Sequence, residues 1–405
     1  MRSCCGRLSC GKQVAVMSKA VIFGAGNIGR GLTGRIFFEA DYKVTFIDVN
    51  EKLVKMLNAS KSYPIYVTMG NEYDHRTIKN VNAVDGNDIS AVVNASKDAS
   101  IIATAVGVNA LKYIIPAISE IIKQRYRDYI EGYLNFILCE NMIDVHLYVR
   151  EMLKEKLSEN EYAYAEEHIG FCQSSIGCMV PAPPKELVEQ NPLAVAVEDY
   201  NKIYTDKDGV RGELPDIDNI IAYSPFSFYI NRKLYMHNMS HCICAYLGFH
   251  KGYTYIWESI LDQEIRNKVE RALEETASAL SLNYGVEIKN LNDHAEDLVK
   301  RYANKLLADT VARVGADPKR KLGKNDRLIG AARFCLDNSI MPSTIIDTIP
   351  LAFLFNAEND PSSAEVSSFF TEHGLAESLK KYCQLNETEP LFGKIIAADK
   401  KNKRE

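Results

Sequence analysis

A lysine, an amide and a histidine that could do chemistry lie close together in residues 231–248. If this segment is helical, Asn238 and His241 are three residues apart and share one face. Lys233 and His241 are eight residues apart, which sets them about 80° apart around a helix of about 3.6 residues per turn. An amine, an amide and an imidazole in one sector suit the oxidation of an alcohol, in which a base takes the hydroxyl proton and donors hold the alkoxide.

The same segment also has a purely structural interpretation. It would then be a partly buried helix with a snorkelling lysine and hydrogen-bonded histidines. His237 shares the sector and competes with His241 for a catalytic role. A catalytic Lys233 needs a lowered pKa, because an ordinary lysine stays protonated near neutral pH.

A glycine-rich turn near the start of the chain predicts a dinucleotide site. Residues 20–30 read A-V-I-F-G-A-G-N-I-G-R, with G-x-G-x-x-G at Gly24, Gly26 and Gly29, and Asp48 follows the last glycine by 19 residues. The first glycine permits a tight turn, the second lets a pyrophosphate approach the backbone, and the third lets helix and strand pack closely. The N–H groups at the helix start would bind the phosphates.

Asp48 decides the expected cofactor. Its carboxylate would accept hydrogen bonds from an adenosine ribose and repel a 2′-phosphate, which favours NAD over NADP. The alternative is a structural glycine turn in a protein that binds no nucleotide, and the strand and helix around the motif disfavour it. The predicted cofactor-binding residues are Phe23, Gly24, Ala25, Gly26, Asn27, Ile28, Gly29, Asp48, Thr104, Ala105 and Val106.

Two further strand ends should border this site, because ligands of open α/β sheets lie beyond the carboxyl ends of the strands. The run A-S-I-I-A-T-A closes at Thr104 and Ala105, which we expect near the ribose or the nicotinamide. Asn141 follows the next apolar run and would face the nicotinamide. On position alone, Asn141 could equally cap a helix that starts near Asp144.

The elements that position these residues alternate along the first half of the chain. Strand-like runs at 21–23, 43–47, 99–105, 134–138 and 168–173 alternate with helix-like segments at 27–40, 50–59, 109–125 and 144–157. This pattern predicts an α/β protein with a doubly wound, mostly parallel sheet of the Rossmann type.

The second half of the chain predicts a mainly α-helical domain. A strand is expected at 193–197, and helical periodicity follows over about 225–248, 253–284 and 294–311. The expected domains are residues 18–190 for the dinucleotide-binding part and 191–398 for the helical part. Residues 1–17 are interpreted as a disordered leader or a mis-assigned start, and residues 399–405 as a charged tail.

Composition excludes several classes of function. The 405 residues are 46% apolar and carry a net charge of −5, so no basic surplus exists to bind nucleic acid. No apolar run is long enough to span a membrane. The ten cysteines have no zinc-type spacing and suggest reduced thiols in a cytoplasm, with no metal site. The oligomeric state is not predicted.

The chain resembles the polyol-specific long-chain dehydrogenases. Lys233, Asn238 and His241 match the family signature K-x4-N-x2-H. The phosphate-specific branch is matched by F-G-A-G-N-I-G-R-G, by C-E-N-M at 139–142, by A-Y-L-G at 245–248 and by R-V-G-A-D-P-K-R-K-L-G-K-N-D-R-L at 313–328. The resemblance runs from Met17 to about residue 398. It implies a Rossmann domain, a helical domain, an active site in the cleft between them, and no metal.

The resemblance also implies roles for the residues. Lys233 is the general base, Asn141 and Asn238 polarise the carbonyl or hold the alkoxide, and His241 orients the substrate hydroxyl. The chain departs from the branch at Met239 and Ser240, where the branch has Thr-Gly. This departure could change the fit of the substrate without removing catalysis.

The implied reaction is the NAD-dependent interconversion of mannitol 1-phosphate and fructose 6-phosphate. A phosphate needs fixed cations, and arginine suits it best. Arg313, Arg320, Lys321 and Arg327 are the candidates, and Lys324 stands among them. A solvated basic turn is the alternative for this stretch. A free polyol, hexonate or hexuronate is the alternative substrate, and a non-catalytic sensor that holds the cofactor is a further alternative.

Overall fold

The structure is a computed structural model that describes residues 17–181 and 183–402. The predicted leader, apart from Met17, and the end of the predicted tail lie outside the described residues. The strands are β1 Lys19–Phe23, β2 Lys43–Asp48, β3 Ser62–Met69, β4 Glu72–Lys79, β5 Val81–Asp85, β6 Ile101–Thr104, β7 Leu134–Leu138, β8 Ile169–Ile176, β9 Val195–Glu198, β10 Ile203–Asp206 and β11 Ile220–Tyr223.

Eight of these strands form one large sheet in the order β11-β10-β8-β7-β6-β1-β2-β5. All neighbours are parallel except β10, which runs antiparallel to β8. Strands β1, β6 and β7 are buried along nearly their whole length, as expected for parallel strands covered on both faces. Ile22 packs on one face of the sheet, and Val21 and Phe23 pack on the other. The predicted α/β Rossmann class is confirmed.

Helices cover the sheet and build the second half of the chain. They are α1 Gly34–Glu39, α2 Glu51–Ser60, α3 Ile89–Ser96, α4 Val108–Arg127, α5 Val145–Lys154, α6 Glu159–His168, α7 Lys185–Gln190, α8 Ser227–Arg232, α9 Met239–His250, α10 Ile256–Leu261, α11 Gln263–Tyr284, α12 Ile288–Tyr302, α13 Val311–Gly315, α14 Pro318–Lys321, α15 Ile329–Asp337, α16 Ser343–Phe353, α17 Pro361–Cys383 and α18 Pro390–Asn402. Two π-helical turns, Gly29–Thr33 and Lys233–Asn238, precede α1 and α9.

The sheets continue past residue 190, where we expected the first domain to end. Strand β9 pairs with β3 in a separate three-stranded sheet with β4, and β10 and β11 extend the large sheet. Strand β9 corresponds to the strand expected at 193–197. Strands β10 and β11 were not predicted, because four residues each are too few to show a clear alternating pattern in the sequence. The strands therefore end at Tyr223, and the helical part begins with α8.

The helical part is built around α9. Residues from Met239 to Gly248 are buried except His241, and a helix that is buried all round belongs in the centre of a core. The predicted helix over 253–284 is two helices, because Asp262 ends α10 and caps α11 by accepting hydrogen bonds from the backbone of Glu264 and Ile265. Among the described residues, no helix is long and apolar enough to cross a membrane.

Candidate active site

The glycine-rich turn joins β1 to the first π-helical turn, and its three glycines meet different surroundings. Gly24 has φ +98°, and a Cβ there would lie 2.4 Å from the Ala105 oxygen. A Cβ at Gly29 would lie 2.0 Å from the Gly24 oxygen, whereas a Cβ at Gly26 would meet no atom within 4 Å. The first and third glycines are thus required by close packing, and the second faces open space, as a pyrophosphate site needs.

Asp48 lies at the carboxyl end of β2 and holds this turn. Its Oδ2 accepts a hydrogen bond of 2.7 Å from the Ala25 N–H, and its Oδ1 accepts one of 2.9 Å from Asn50. Arg30, which the sequence analysis did not single out, is buried and donates to the carbonyl oxygens of Ala25, at 2.7 Å, and of Leu193. The turn is therefore fixed from both sides before any ligand binds.

The ends of β6 and β7 are joined by Glu140, a second residue that the sequence analysis missed. Its buried carboxylate accepts hydrogen bonds from Val106, at 3.0 Å, and from Gly107, at 2.8 Å. Burial raises the pKa of Glu140, and these two N–H groups oppose the rise. The predicted cofactor residues Thr104, Ala105 and Val106 thus lie beside Asn141 at one edge of the sheet.

The four predicted catalytic residues line one cavity of about 680 Å³. They are Lys233, Asn141, Asn238 and His241. Ile28 of the glycine-rich turn lines the same cavity, so the cavity reaches the predicted cofactor loop. Within the part of the chain that the structure describes, no group of three or more Cys, His, Asp or Glu side chains is arranged to hold a metal ion.

Lys233 and Asn141 are in direct contact across the junction between the sheet and the helices. The Lys233 Nζ donates a hydrogen bond of 3.0 Å to Asn141 Oδ1. Helix α5 has Asp144 as its N-cap residue, so Asn141 does not have the capping role that its position also allowed. Burial, and next the Arg327 guanidinium, lower the pKa of Lys233 to about 8.

The π-helical turn Lys233–Asn238 explains how the base and the second amide meet. Residues five apart on an α-helix point about 140° away from each other. A π-helical turn pairs residue i with residue i+5 and brings them close to one face. Lys233 and Asn238 accordingly line the same two cavities.

His241 sits against a buried carboxylate. Its Nε2 lies 3.3 Å from Asp309 Oδ2, but the angles do not make a hydrogen bond, and Nε2 is a buried atom without a hydrogen-bond partner among the described residues. The ring stacks on Tyr302 with centroids 4.6 Å apart. Burial lowers the pKa of His241, and Asp309 opposes that effect. A neutral imidazole held in this way could accept or donate a hydrogen bond to a substrate hydroxyl.

His237, the rival histidine, also lines the cavity but is more fully buried. Its backbone oxygen accepts a hydrogen bond of 2.8 Å from the Tyr302 hydroxyl. Burial, with the nearby Arg301 as the next cause, holds the pKa of His237 well below its usual value. His237 is therefore a neutral wall of the site at any pH near neutrality.

The predicted phosphate-binding residues fall into two groups. Arg313 lines the main cavity, and Arg320 and Arg327 line an adjoining cavity of about 140 Å³ that Lys233 and both amides also border. Each of these arginines also donates a hydrogen bond to an aspartate. The bond from Arg313 to Asp309 is 2.6 Å long, that from Arg320 to Asp317 is 2.9 Å, and that from Arg327 to Asp326 is 2.7 Å.

Lys321 does not line either cavity. Its side chain is buried and its Nζ donates to the Val314 carbonyl oxygen. Burial lowers the pKa of Lys321 to about 8. The packing of the short helix α14 turns this lysine inward, so we no longer expect it to contact a phosphate. Lys324 is exposed. This agrees with the alternative interpretation of the basic stretch as a solvated turn, but only for this lysine.

A glycine-rich Rossmann turn that opens onto a lysine, two amides and a histidine defines the class of the protein, a Rossmann-type oxidoreductase. Two family models match the chain: the mannitol dehydrogenase Rossmann domain over residues 18–219 and the mannitol dehydrogenase C-terminal domain over residues 226–392. The chain belongs to the mannitol dehydrogenase family.

Individual relatives agree with this assignment. The chain is 35% identical to the mannitol-1-phosphate 5-dehydrogenase of Thermoanaerobacter pseudethanolicus over 94% of its own length and 97% of that protein. Two solved structures share the fold at 15% identity. One is a D-sorbitol dehydrogenase in substrate-free form, with TM-score 0.77 and coverage of 94% of this chain and 92% of that one. The other is the Pseudomonas fluorescens mannitol 2-dehydrogenase ternary complex with NAD and D-mannitol, with TM-score 0.70 and coverage of 96% and 91%.

Proposed function

We propose that this protein interconverts mannitol 1-phosphate and fructose 6-phosphate with NAD as the hydride carrier and without a metal. The observation that carries the proposal is the 3.0 Å contact between Lys233 and Asn141, in a cavity bordered by the glycine-rich turn on one side and by arginines on the other. The substrate is that of the relative with 35% identity.

The residues around the glycine-rich turn fit NAD. The backbone of the turn is open above Gly26 and the helix start offers N–H groups to a pyrophosphate. The Asp48 carboxylate, at the end of β2, stands where an acid would select a ribose without a 2′-phosphate. Bound beside this turn, NAD would supply the hydride acceptor for oxidation of the alcohol carbon, and NADH the hydride donor for reduction at carbon 2 of fructose 6-phosphate.

Lys233 handles the proton in this proposal. With a pKa of about 8, about a tenth of the lysine is neutral at pH 7, by the ordinary titration relation. The neutral amine takes the hydroxyl proton during alcohol oxidation, and the ammonium returns it to the oxygen during ketone reduction. The amide N–H groups of Asn141 and Asn238 donate to the oxygen while it carries negative charge.

Arg320 and Arg327 are the proposed contacts of the substrate phosphate. Both line the small cavity that Lys233 borders, and a guanidinium has enough donors to serve a phosphate and an aspartate at once. Arg313 stands on the main cavity and is a third candidate. Charge-assisted hydrogen bonds of this kind are the strong ones, so they should dominate the discrimination between phosphorylated and free sugars.

The test compares NADH oxidation with fructose 6-phosphate, fructose and a hexuronate. We expect fructose 6-phosphate to have by far the highest kcat/KM, and Arg327→Met to reduce that advantage. Lys324→Met is the matched control, because Lys324 is an exposed cation of the same stretch that lines neither cavity. Equal kcat/KM for the three substrates would refute the phosphate assignment.

A free polyol or a hexuronate is the second candidate substrate. The observation that favours it is that all three arginines already contact aspartates, which reduces their attraction for a phosphate. In that case fructose or the hexuronate would be the best substrate, and Arg327→Met would not lower its kcat/KM by the loss of a phosphate contact, because such a substrate has no phosphate.

A further inference from the structure

A second cavity, of about 690 Å³, lies between the three-stranded sheet and α12. It is as large as the catalytic cavity and shares no lining residue with it. Its walls come from the turn after β3, the segment after β9, the end of α8, and α12. Pockets of this size hold small metabolites, and none of the residues discussed for catalysis explains this one.

The carboxylates of this cavity are already neutralised by partners. Glu198 is buried and accepts hydrogen bonds from Arg301 at 2.7 and 2.6 Å. Asp297 contacts the same guanidinium at 3.4 Å, and Asp199 contacts Arg35 at 3.4 Å. Each acidic side chain named here therefore has an arginine partner, although Glu198 and Asp297 share the one guanidinium of Arg301.

Two cations of the cavity are different. Arg232 and Lys202 form no ion pair and no side-chain hydrogen bond to any residue that the structure describes. Arg232 is half-buried, and its guanidinium carbon lies 4.5 Å from the Tyr229 ring centroid and 4.7 Å from that of Tyr204. The aromatic rings hold the guanidinium by its face, which leaves its N–H groups free to bind an anion.

Neutral groups complete the walls. The side-chain amides of Asn71 and Asn290 line the cavity and have no hydrogen-bond partner among the described residues. The Tyr200 ring lines it as well, with the Arg301 guanidinium carbon 4.6 Å from its centroid. Side-chain amides suit hydroxyl groups, whereas the Tyr200 ring is already engaged by Arg301. The set therefore matches a polyhydroxy compound that carries one anionic group.

We propose that this cavity is a second binding site for a sugar phosphate, anchored by the Arg232 guanidinium and distinct from the catalytic cavity. Arginine provides a planar fork that matches phosphate oxygens in two parallel hydrogen bonds. Lys202 at the exposed rim adds a second positive charge. Arg232 ends α8 directly before Lys233, so an occupant of this site holds the residue that leads into the catalytic turn.

The test is isothermal titration of the full chain with glucose 6-phosphate at low ionic strength. We expect two equivalents to bind the wild type. Arg232→Met should remove one equivalent, or weaken it by at least about tenfold, which is the effect of losing a hydrogen-bonded charge. Arg327→Met should affect only the other equivalent. If the proposed catalytic phosphate contacts are wrong, the wild type binds one equivalent that Arg232→Met removes and Arg327→Met does not.

Further variants guard against loss of the fold. Lys202→Met should weaken the same equivalent by about two- to fivefold, as for an exposed charge. Lys207→Met is the matched control, because this lysine is exposed and lies outside the cavity. Free glucose should not bind the site. The proposal would be overturned if the wild type bound glucose 6-phosphate and neither Arg232→Met nor Lys202→Met weakened any of that binding. It would also be overturned if the wild type bound no glucose 6-phosphate.

Discussion

Replacing Arg327 with glutamine should move the pH dependence of catalysis toward alkaline pH. Burial is the largest cause of the lowered pKa of Lys233, and the Arg327 guanidinium is the second. A neutral amide at residue 327 removes that positive neighbour while keeping a polar side chain of similar reach. The ammonium form of Lys233 then becomes less unfavourable, so its pKa rises.

The size of the effect follows from the shift itself. The pKa of Lys233 is lowered from 10.5 to about 8, which is about 3.4 kcal/mol at about 1.36 kcal/mol per unit. Burial remains in the variant, so we expect recovery of about one unit and a pKa near 9. Alcohol oxidation needs the neutral amine, whose share at pH 7 would fall from about 10% to about 1%. The kcat for oxidation at pH 7 should therefore fall about tenfold.

The assay is kcat for mannitol 1-phosphate oxidation from pH 6 to pH 10 at saturating substrate and NAD, because kcat reports ionisations within the bound complex. Oxidation should rise with pH through the pKa of Lys233, and ketone reduction should fall through it. Arg320→Gln is the matched control. It removes a cation of the same small cavity that is not a cause of the Lys233 shift. Equal midpoints in Arg327→Gln and the wild type, or an equal displacement in the control, would refute the reasoning.

Four further substitutions test the turn, the buried ion pair and the surroundings of the histidine. Gly26→Ala should leave the melting temperature unchanged, because its Cβ meets no protein atom within 4 Å. It should weaken NADH binding, because that Cβ enters the space proposed for the pyrophosphate. Gly29→Ala should cost about 1–3 kcal/mol of unfolding free energy by overpacking, measured in urea. Arg301→Met should cost about 3–5 kcal/mol, because it leaves the Glu198 carboxylate buried without its partner. Asp309→Asn should lower kcat about tenfold with little change in KM if His241 has the proposed role, because a charge 3.3 Å from its imidazole is lost. Unchanged kcat would mean that this carboxylate only packs.

The strands of the sheets could be predicted from the sequence where a short apolar run marks the strand. The six runs expected as strands correspond to β1, β2, β6, β7, β8 and β9, because parallel strands buried on both faces read as short apolar runs. The hairpin of β3 and β4 escaped notice. Its outer strand, Glu72–Lys79, is mostly exposed and polar, so it has no apolar run to mark it.

In the candidate site, too, some residues could be predicted from the sequence and others could not. The types and spacing of Lys233, Asn238 and His241 were enough to place them around one cavity. The π-helical turn that aligns the first two was not predicted, because helical periodicity assumes α-geometry throughout. Glu140 and Asp309 were missed because each acts through a contact that is remote in sequence, and a lone acid carries no spacing signal.

The most direct test of the account is the Lys233→Ala variant, assayed for NADH oxidation with fructose 6-phosphate and, separately, for NADH affinity by fluorescence titration. The account predicts a loss of turnover of about 10²–10⁴, which is the usual contribution of a general acid–base group, with NADH affinity within about twofold of the wild type. Retained turnover would contradict the role of the lysine. An equal loss of turnover and of NADH binding would show that Lys233 supports the structure of the cleft rather than the chemistry.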